Sequence, residues 1–557
     1  MVSINCALRG LVAGGIVSLI FLSTTPPVRA QQEIDVCLKS GVVIRALRVE
    51  AHDNKFSFYP QGGGAPIEVA ENLVKGIGVP CDGATQPSPA SAAAATLKFG
   101  IHGSNTIGER LMPLLIDTFS QKKYGARAIV RQKAPEVSEI EIRPANSAQP
   151  IATIDFQAKG SGTSEPSLVD KQAEIPTVIG MSSRRANDKE VKEVHDLFNI
   201  DLLTAGNEHV LALDGIPVIV NPGNPIRQLS LEQIAKIFSG EISNWRDVTY
   251  LNASGQEVPG PDLPIKVHAR DNKSGTYDTF VNLVLAPPDQ PKRQLTPQAA
   301  RYESSENLSD AVAKDPGAIG FIGFPYIKKN TALLIASSCG MLSAPSKFTV
   351  KTESYPLARR LYLYTLGEPN IPMARDIMQF AMSDEAQPTI IEGEFIDQAV
   401  EFQDANDQRQ WRLTLMANPS QGLASDKTVA VTTVRSFDAA LQKLRRSTVV
   451  FRFDYGSSTL DAKVVDDVGR LARYLQSPGI AGKRFELIGF ADSSGNWSSN
   501  LQLSTDRAQR VANELKAHGA AVPDGSVLGM SYMAPVACND GPAGQAKNRR
   551  VEVWIAP

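Results

Sequence analysis

Apolar positions follow different periods in different parts of the chain. Leu11 to Leu22 is almost continuously apolar, with Arg9 before it and Val28-Arg29-Ala30 after it. A short apolar core behind a positive charge and ahead of a small-x-small site is the pattern of a secretory signal peptide, cleaved before Gln31. From Val36 to Glu50, and again at Phe56-Ser-Phe and Ile67-Glu-Val, apolar and polar residues alternate between Gly62-Gly-Gly and Asn/Asp turns. That pattern predicts a small antiparallel barrel or sheet. Beyond it, short apolar runs at Leu97–Ile101, Pro217–Asn221, Ile265–His268 and Ala318–Ile322 alternate with segments of helical period such as Leu111, Leu115 and Phe119. This is the signature of an α/β sheet with crossover helices. A last set of alternating runs, Val449–Phe453, Phe485–Phe490 and Arg550–Ile555, encloses two helical stretches and predicts an α+β unit.

Two Pro/Ala/Ser/Gly-rich stretches separate these units. The expected organisation is a signal peptide at 1–30, a small β domain at 33–82, a linker at 83–96, an α/β domain at 97–416, a linker at 417–447 and an α+β domain at 448–557. A fully flexible 417–447 would span about 30 Å root mean square.

The 557 residues are 42% hydrophobic and carry 57 basic against 59 acidic side chains. Such a composition excludes a disordered or polytopic membrane chain, and the near-neutral balance offers no electrostatic case for nucleic acid. No other stretch approaches the roughly 18 apolar residues of a spanning helix. Cys6 precedes the apolar run, which argues against a lipid-anchored cysteine. Cys37, Cys81, Cys339 and Cys538 remain after processing, and in an oxidising compartment they allow three pairings. A unit of about 50 residues buries little core, so a Cys37–Cys81 bridge is the expected staple, with Cys339 and Cys538 expected to stay free. No cysteine or histidine spacing suits a metal, and no motif asks for a cofactor.

Three segments of the α/β domain share one design, a strand followed by Gly with Ser or Thr and then a helix: Gly103-Ser-Asn-Thr-Ile-Gly-Glu109, Lys159-Gly-Ser-Gly-Thr163 and Arg270-Asp-Asn-Lys-Ser-Gly-Thr276. In the first, Thr106 and Glu109 stand at capping-box spacing. Such loops present backbone N–H groups, hydroxyls and a helix terminus to an anion, and an Arg adds a two-pronged donor. Each alone is also what a capped helix start looks like; three in one domain, one bearing Arg, favour an oxyanion site. Phe238, Trp245 and Phe280 read as packing residues.

The domain at 97–416 resembles the periplasmic phosphate-binding proteins of ABC transporters, the PstS-like type. The carriers are the three loops, Ile179-Gly-Met-Ser-Ser-Arg184, Ile237-Phe-Ser-Gly-Glu-Ile-Ser-Asn-Trp-Arg-Asp247 and Pro316-Gly-Ala-Ile-Gly-Phe321. The resemblance implies a two-lobed, type II periplasmic-binding-protein fold that closes over the ion. Its donors would be Ser104, Asn105, Thr106, Ser161, Thr163, Ser183, Arg270, Ser274, Gly275 and Thr276. Many family members have Asp where this chain has Ser183, so phosphate, sulfate and other oxyanions stay open as ligands. Asn272 stands where the family often has an Asp partner for the Arg, leaving Asp271 or Asp278 to take that part.

The C-terminal unit resembles the OmpA-like peptidoglycan-binding domain through Phe453-Asp-Tyr-Gly-Ser-Ser-Thr-Leu460, Gly489-Phe-Ala-Asp-Ser-Ser-Gly495, Asn500-Leu-Gln-Leu-Ser-Thr-Asp-Arg-Ala508 and Lys547-Asn-Arg-Arg-Val-Glu-Val553. A carboxylate and a guanidinium held apart across one pocket suit a zwitterion. The resemblance makes that zwitterion the side-chain end of diaminopimelate, with Asp492 and Arg507 as its grips and Asn500 and Arg549 shaping the pocket. The expected protein is non-enzymatic, periplasmic, associated with peptidoglycan and the outer membrane, and serves phosphate capture, sensing or uptake, with an ABC permease as a further partner. Two other readings stay open. One is a phosphate-ester hydrolase using His102 or His268 beside the anion loops. The other is a wall tether whose middle domain is a non-binding scaffold.

Overall fold

The computed structural model describes residues 34–38, 43–46, 48–52, 55–59, 67–70, 74–77, 96–251, 254, 256–272, 274–287, 291–404, 437–439, 441, 443–453 and 462–557. The expected signal segment and the expected Cys37–Cys81 bridge lie outside the described residues. No helix among them is long and apolar enough to cross a membrane.

In the N-terminal unit the six described strands pair as two three-stranded antiparallel sheets rather than one closed barrel. Val43–Ala46 belongs to the first sheet and Arg48–His52 to the second, so the chain changes sheet across a single residue.

The α/β domain has two lobes. The first is built on a seven-stranded sheet in the order Glu208–Gly215, Ala358–Tyr364, Thr177–Ser182, Leu97–Gly103, Ala152–Gln157, Val137–Pro144 and Ala126–Ala134. Leu97–Gly103 is paired in parallel on both sides, which requires crossover connections. It is lined by Phe99, Ile101, Leu115, Phe119 and Ile154, all buried. The second lobe carries the five-stranded order Ala300–Tyr302, Lys266–Arg270, Ala318–Phe321, Val218–Val220 and Thr331–Ala332. Phe238, Trp245 and Phe280 lie fully buried in its core, with Phe280 stacked on Phe321 at 3.9 Å, so all three serve packing. The chain crosses between lobes after Gly215 and returns before Ala358. There the Ile216 amide donates to the Leu357 carbonyl at 3.0 Å and the Tyr355 hydroxyl to the Ile216 carbonyl at 3.2 Å. Two sheets joined by a pair of crossing strands are the two-lobed arrangement expected.

The C-terminal unit is a five-stranded sheet in the order Phe402–Asp404, Arg445–Arg452, Arg550–Ile555, Phe485–Phe490 and Val527–Gly529, covered by helices Ala462–Gln476 and Trp497–Ala517. Phe402–Asp404, placed by sequence in the middle domain, is an edge strand of this sheet. Phe437, Leu441 and Leu444, placed in the linker, are buried in its smaller core. Apolar side chains ahead of the expected C-terminal boundary thus serve that domain, and composition does not reveal it.

The middle and C-terminal domains pack together. Arg452 reaches across to the Glu353 carboxylate at 3.2 Å and the Thr352 carbonyl at 2.7 Å, and Arg473 pairs with Asp384 at 3.0 Å. The expectation that Cys339 and Cys538 stay free is overturned: they form a disulfide, with Cα atoms 5.8 Å apart and a sequence separation of 199. Sequence distance is no measure of spatial distance once two domains dock, and docking sets the segments around Cys339 and Cys538 side by side.

Candidate functional site

The first loop leaves its strand at Gly103, whose φ of 135° suits glycine alone; a Cβ there would strike the Met181 backbone. This close approach lets the Ser104 amide donate to the Met181 carbonyl at 2.7 Å and the Gly160 amide to the Gly103 carbonyl at 2.8 Å, drawing the first and second loops together. The helix cap is Ser104, accepting from the Ile107 amide at 3.5 Å. The capping box expected at Thr106 and Glu109 is therefore absent: Thr106 lies inside the short helix Asn105–Gly108. Asn105 Oδ1 accepts from the Thr106 amide. Thr106 Oγ1 is buried without a hydrogen-bond partner among the described residues and abuts Gly275 of the other lobe, where any Cβ would collide with it.

The third loop follows Lys266–Arg270 and enters helix Gly275–Phe280, with Ser274 at the cap position but making no side-chain cap bond. Thr106, Arg270, Ser274, Gly275 and Thr276 line one cleft of about 230 Å³. The Arg270 guanidinium is aimed by the Tyr302 carbonyl at 3.3 Å, Ser305 Oγ at 2.7 Å and the Glu303 carbonyl at 2.7 Å. Neither Asp271 nor Asp278 hydrogen-bonds it, so the expectation that one of them replaces the missing partner is not met; the loop 302–305 supplies the acceptors. Burial lowers the Arg270 pKa, opposed by the charges of Glu109 and Asp271.

The second loop contributes to a neighbouring cleft of about 300 Å³, lined by Ser161, Ser183 and Arg184 together with Tyr277 to Thr279. Ser161 Oγ and Ser183 Oγ lie 3.1 Å apart, and the Ser183 amide donates to Ser161 Oγ at 2.9 Å. Thr163 Oγ1 donates to the Gly160 carbonyl and closes its own turn. The ten candidate donors thus divide: five line the first cleft, Ser161 and Ser183 the second, while Ser104, Asn105 and Thr163 shape the loops without lining either.

Sequence reasoning missed Arg359 and Asp214. Asp214 ends one crossing strand and Arg359 begins the other. Arg359 Nη2 meets Asp214 Oδ2 at 2.7 Å, and Arg359 Nη1 donates to the Gly275 carbonyl at 2.7 Å and to Thr279 Oγ1. Their signal in the sequence was weak: Asp214 closes the apolar run Val210 to Leu213, and Arg359 stands beside Arg360 ahead of Leu361 to Tyr364. His102 is held by Asp155 at 2.7 Å and Thr177 at 2.9 Å, and His268 by the Tyr302 hydroxyl at 2.9 Å. Burial lowers both pKa values, so both rings are neutral near pH 7.

In the C-terminal domain Asp492 pairs with Arg549 at 3.0 Å and accepts from the Ser494 amide at 2.8 Å. Arg507, fully buried, stands 5.4 Å from the Phe453 ring centre, and its Nη1 lies 3.5 Å from the Phe490 carbonyl. Burial, then repulsion from Arg549, pushes it down to about 10. Asn500 Nδ2 donates to the Ser494 carbonyl at 2.7 Å, fixing the loop that carries Asp492. Arg549, expected with Asn500 to shape the pocket, is the side chain that pairs with the acid.

A model of the PBP superfamily domain matches residues 137–385, and a model of the OmpA family matches residues 452–549. The phosphate-binding protein PstS of Bacillus subtilis is 30% identical over 244 residues, covering 43% of this chain and 70% of that protein. An ABC-type phosphate transport receptor from Vibrio cholerae, known as a crystal structure, is 22% identical, with 54% of this chain and 99% of that chain covered and a TM-score of 0.39. The peptidoglycan-associated lipoprotein of Burkholderia pseudomallei is 24% identical over 19% of this chain and 88% of that one, with a TM-score of 0.18. On the match to the Bacillus relative and to both domain models, this chain belongs to the PstS-like family of the PBP superfamily and carries an OmpA family domain toward its C-terminal end.

Proposed function

We propose that this protein captures an oxyanion, phosphate foremost, between the two lobes of its middle domain while its C-terminal domain holds it to peptidoglycan on the outer side of the inner membrane. The observation that carries the reading is the cleft in which Arg270, Ser274, Gly275 and Thr276 of one lobe face the unpartnered Thr106 hydroxyl of the other. A guanidinium, hydroxyls and free amide donors converging from two lobes suit a tetrahedral anion, which closure surrounds. Binding without turnover fits the placing of His102 and His268, which line neither cleft.

The C-terminal domain contacts both lobes, through Cys339 on one and Asp384 on the other. A wall-held binder of this kind serves local capture or sensing, and delivery to an ABC permease is limited to what lies within reach of the wall. Calorimetry with phosphate, sulfate and arsenate tests the reading. Phosphate is expected to bind, with Arg270→Ala weakening it by about 100-fold, as loss of a bidentate charge-assisted contact implies. If no oxyanion binds or shifts the melting temperature, the middle domain is a scaffold; if p-nitrophenyl phosphate is hydrolysed in an Arg270-dependent way, it is a hydrolase.

A further inference from the structure

Thr106 lies within the short helix Asn105–Gly108, and Glu109 follows that helix with helical dihedrals. Three residues apart, the two lie on one helix face. Had Thr106 capped the helix, the Glu109 carboxylate would have folded back onto the Thr106 amide. Ser104 caps it instead, and the Thr106 amide donates to Asn105 Oδ1 at 3.1 Å. The Glu109 carboxylate is left with no hydrogen bond and no ion pair among the described residues. It lines the same cleft as Arg270, Ser274, Gly275 and Thr276.

Asp214, Glu303 and Glu394 are the other acidic residues described in that cleft. Asp214 is taken by Arg359, and Glu394 by Arg110 at 2.7 Å. Glu303 turns its carbonyl, not its carboxylate, to the Arg270 guanidinium at 2.7 Å. Glu109 differs from all three, because its charge acts on that guanidinium. Burial works against the Arg270 charge, while Glu109 and then Asp271 sustain it, and Asp271 does not line the cleft. In the other direction, partial burial raises the Glu109 pKa, Arg270 opposes the rise, and Asp271 and Glu136 add to it. An anion held by Arg270 and the third loop would therefore rest beside a carboxylate that nothing else occupies.

An ionised carboxylate can only accept. Beside a bound oxyanion it gains a charge-assisted hydrogen bond where the anion has a proton to give, and meets unrelieved repulsion where it has none. Phosphate and arsenate keep at least one proton through the neutral range; sulfate and selenate keep none. We propose that Glu109 sets the class of oxyanion this cleft accepts, receiving the hydrogen bond of a protonated anion such as hydrogen phosphate and turning away a fully deprotonated one such as sulfate. The proposal rests on the oxyanion reading given above and narrows it.

Calorimetry on the full chain with phosphate, sulfate, arsenate and selenate tests it, the second pair repeating the comparison with larger ions. The parent is expected to bind phosphate at least about 100-fold tighter than sulfate, and arsenate likewise over selenate, as a charge-assisted bond set against a like-charge repulsion implies. Glu109→Gln keeps the shape and offers both a donor and an acceptor. It should bring each pair within about 5-fold, mainly by strengthening sulfate and selenate. Glu394→Gln removes an acid from the same cleft wall without touching this contact, so the phosphate-to-sulfate ratio should stay within about 3-fold of the parent's. Three results overturn the role of Glu109 while the oxyanion reading stands: a parent that binds phosphate and sulfate alike, a ratio that Glu109→Gln leaves unchanged, or a ratio that Glu394→Gln collapses equally. If none of the four anions binds the parent, the oxyanion reading falls and this proposal with it.

Discussion

Arg359 donates to the carbonyl of Gly275 at 2.7 Å, so a residue of the strand that returns from the second lobe holds the first turn of the helix at the mouth of the candidate anion cleft. The same guanidinium is gripped by Asp214 on the outgoing crossing strand. The crossing strands and the third loop are thereby one hydrogen-bonded unit, and the orientation of Ser274 to Thr276 depends on it.

Replacing Arg359 by Met should accordingly weaken phosphate binding by about 10-fold. It should also lower stability by roughly 3–5 kcal/mol, because Asp214 is left buried without its partner. The double variant Arg359→Met, Asp214→Leu should recover stability without recovering affinity. Calorimetry and thermal melts separate the two effects; unchanged affinity in a folded Arg359→Met protein would show that the third loop is positioned without it.

Glu165 stands on the short helix behind the second loop, 2% exposed, with both carboxylate oxygens lacking partners among the described residues. Burial, then the charge of Glu190, pushes it up to about 7 from 4.5. A carboxyl whose native pKa exceeds its unfolded one loses stability contribution as pH rises, beginning near 4.5 and ending near 7, on the order of 3 kcal/mol in all. Glu165→Gln should flatten this slope: relative to the variant, the parent protein loses melting temperature between pH 5 and pH 8. Parallel melting curves against pH would refute the assignment.

The Cys339–Cys538 disulfide closes a span of 199 residues. Removing it as Cys339→Ser, Cys538→Ser should cost about 2–5 kcal/mol on the chain-entropy account. The loss should appear as a lower melting temperature that reducing agent reproduces in the parent and not in the variant. Equal melting of parent and variant under oxidising conditions would mean that the docked interface alone holds the two domains.

Arg507→Ala should abolish pull-down by peptidoglycan while phosphate affinity stays within about 2-fold, the retained affinity reporting that the protein is folded. Arg507 is fully buried beside Phe453, so Arg507→Lys serves as the conservative partner. It keeps the charge but loses the planar fork and should bind weakly. Undiminished pull-down by Arg507→Ala would remove Arg507 from the site.

The local elements were legible because period and turn chemistry are local properties. Leu97–Gly103 falls on a short apolar run, Phe485–Phe490 and Arg550–Ile555 fall on the last set of alternating runs, and the Ser/Gly/Thr loops fall between strand and helix as expected. Residue types also limited the chemistry: Arg270 with Ser274, Gly275 and Thr276 could be proposed as anion donors before the structure placed them in one cleft. What the tertiary structure decided were relations between distant parts of the chain. It joined Cys339 to Cys538, placed Arg359 on Gly275, gave Asp492 to Arg549, and set the C-terminal domain against both lobes. The physical reason is that ion pairs, disulfides and cavities depend on distances of a few ångströms, and packing fixes those distances between segments whose separation in sequence carries no information about them.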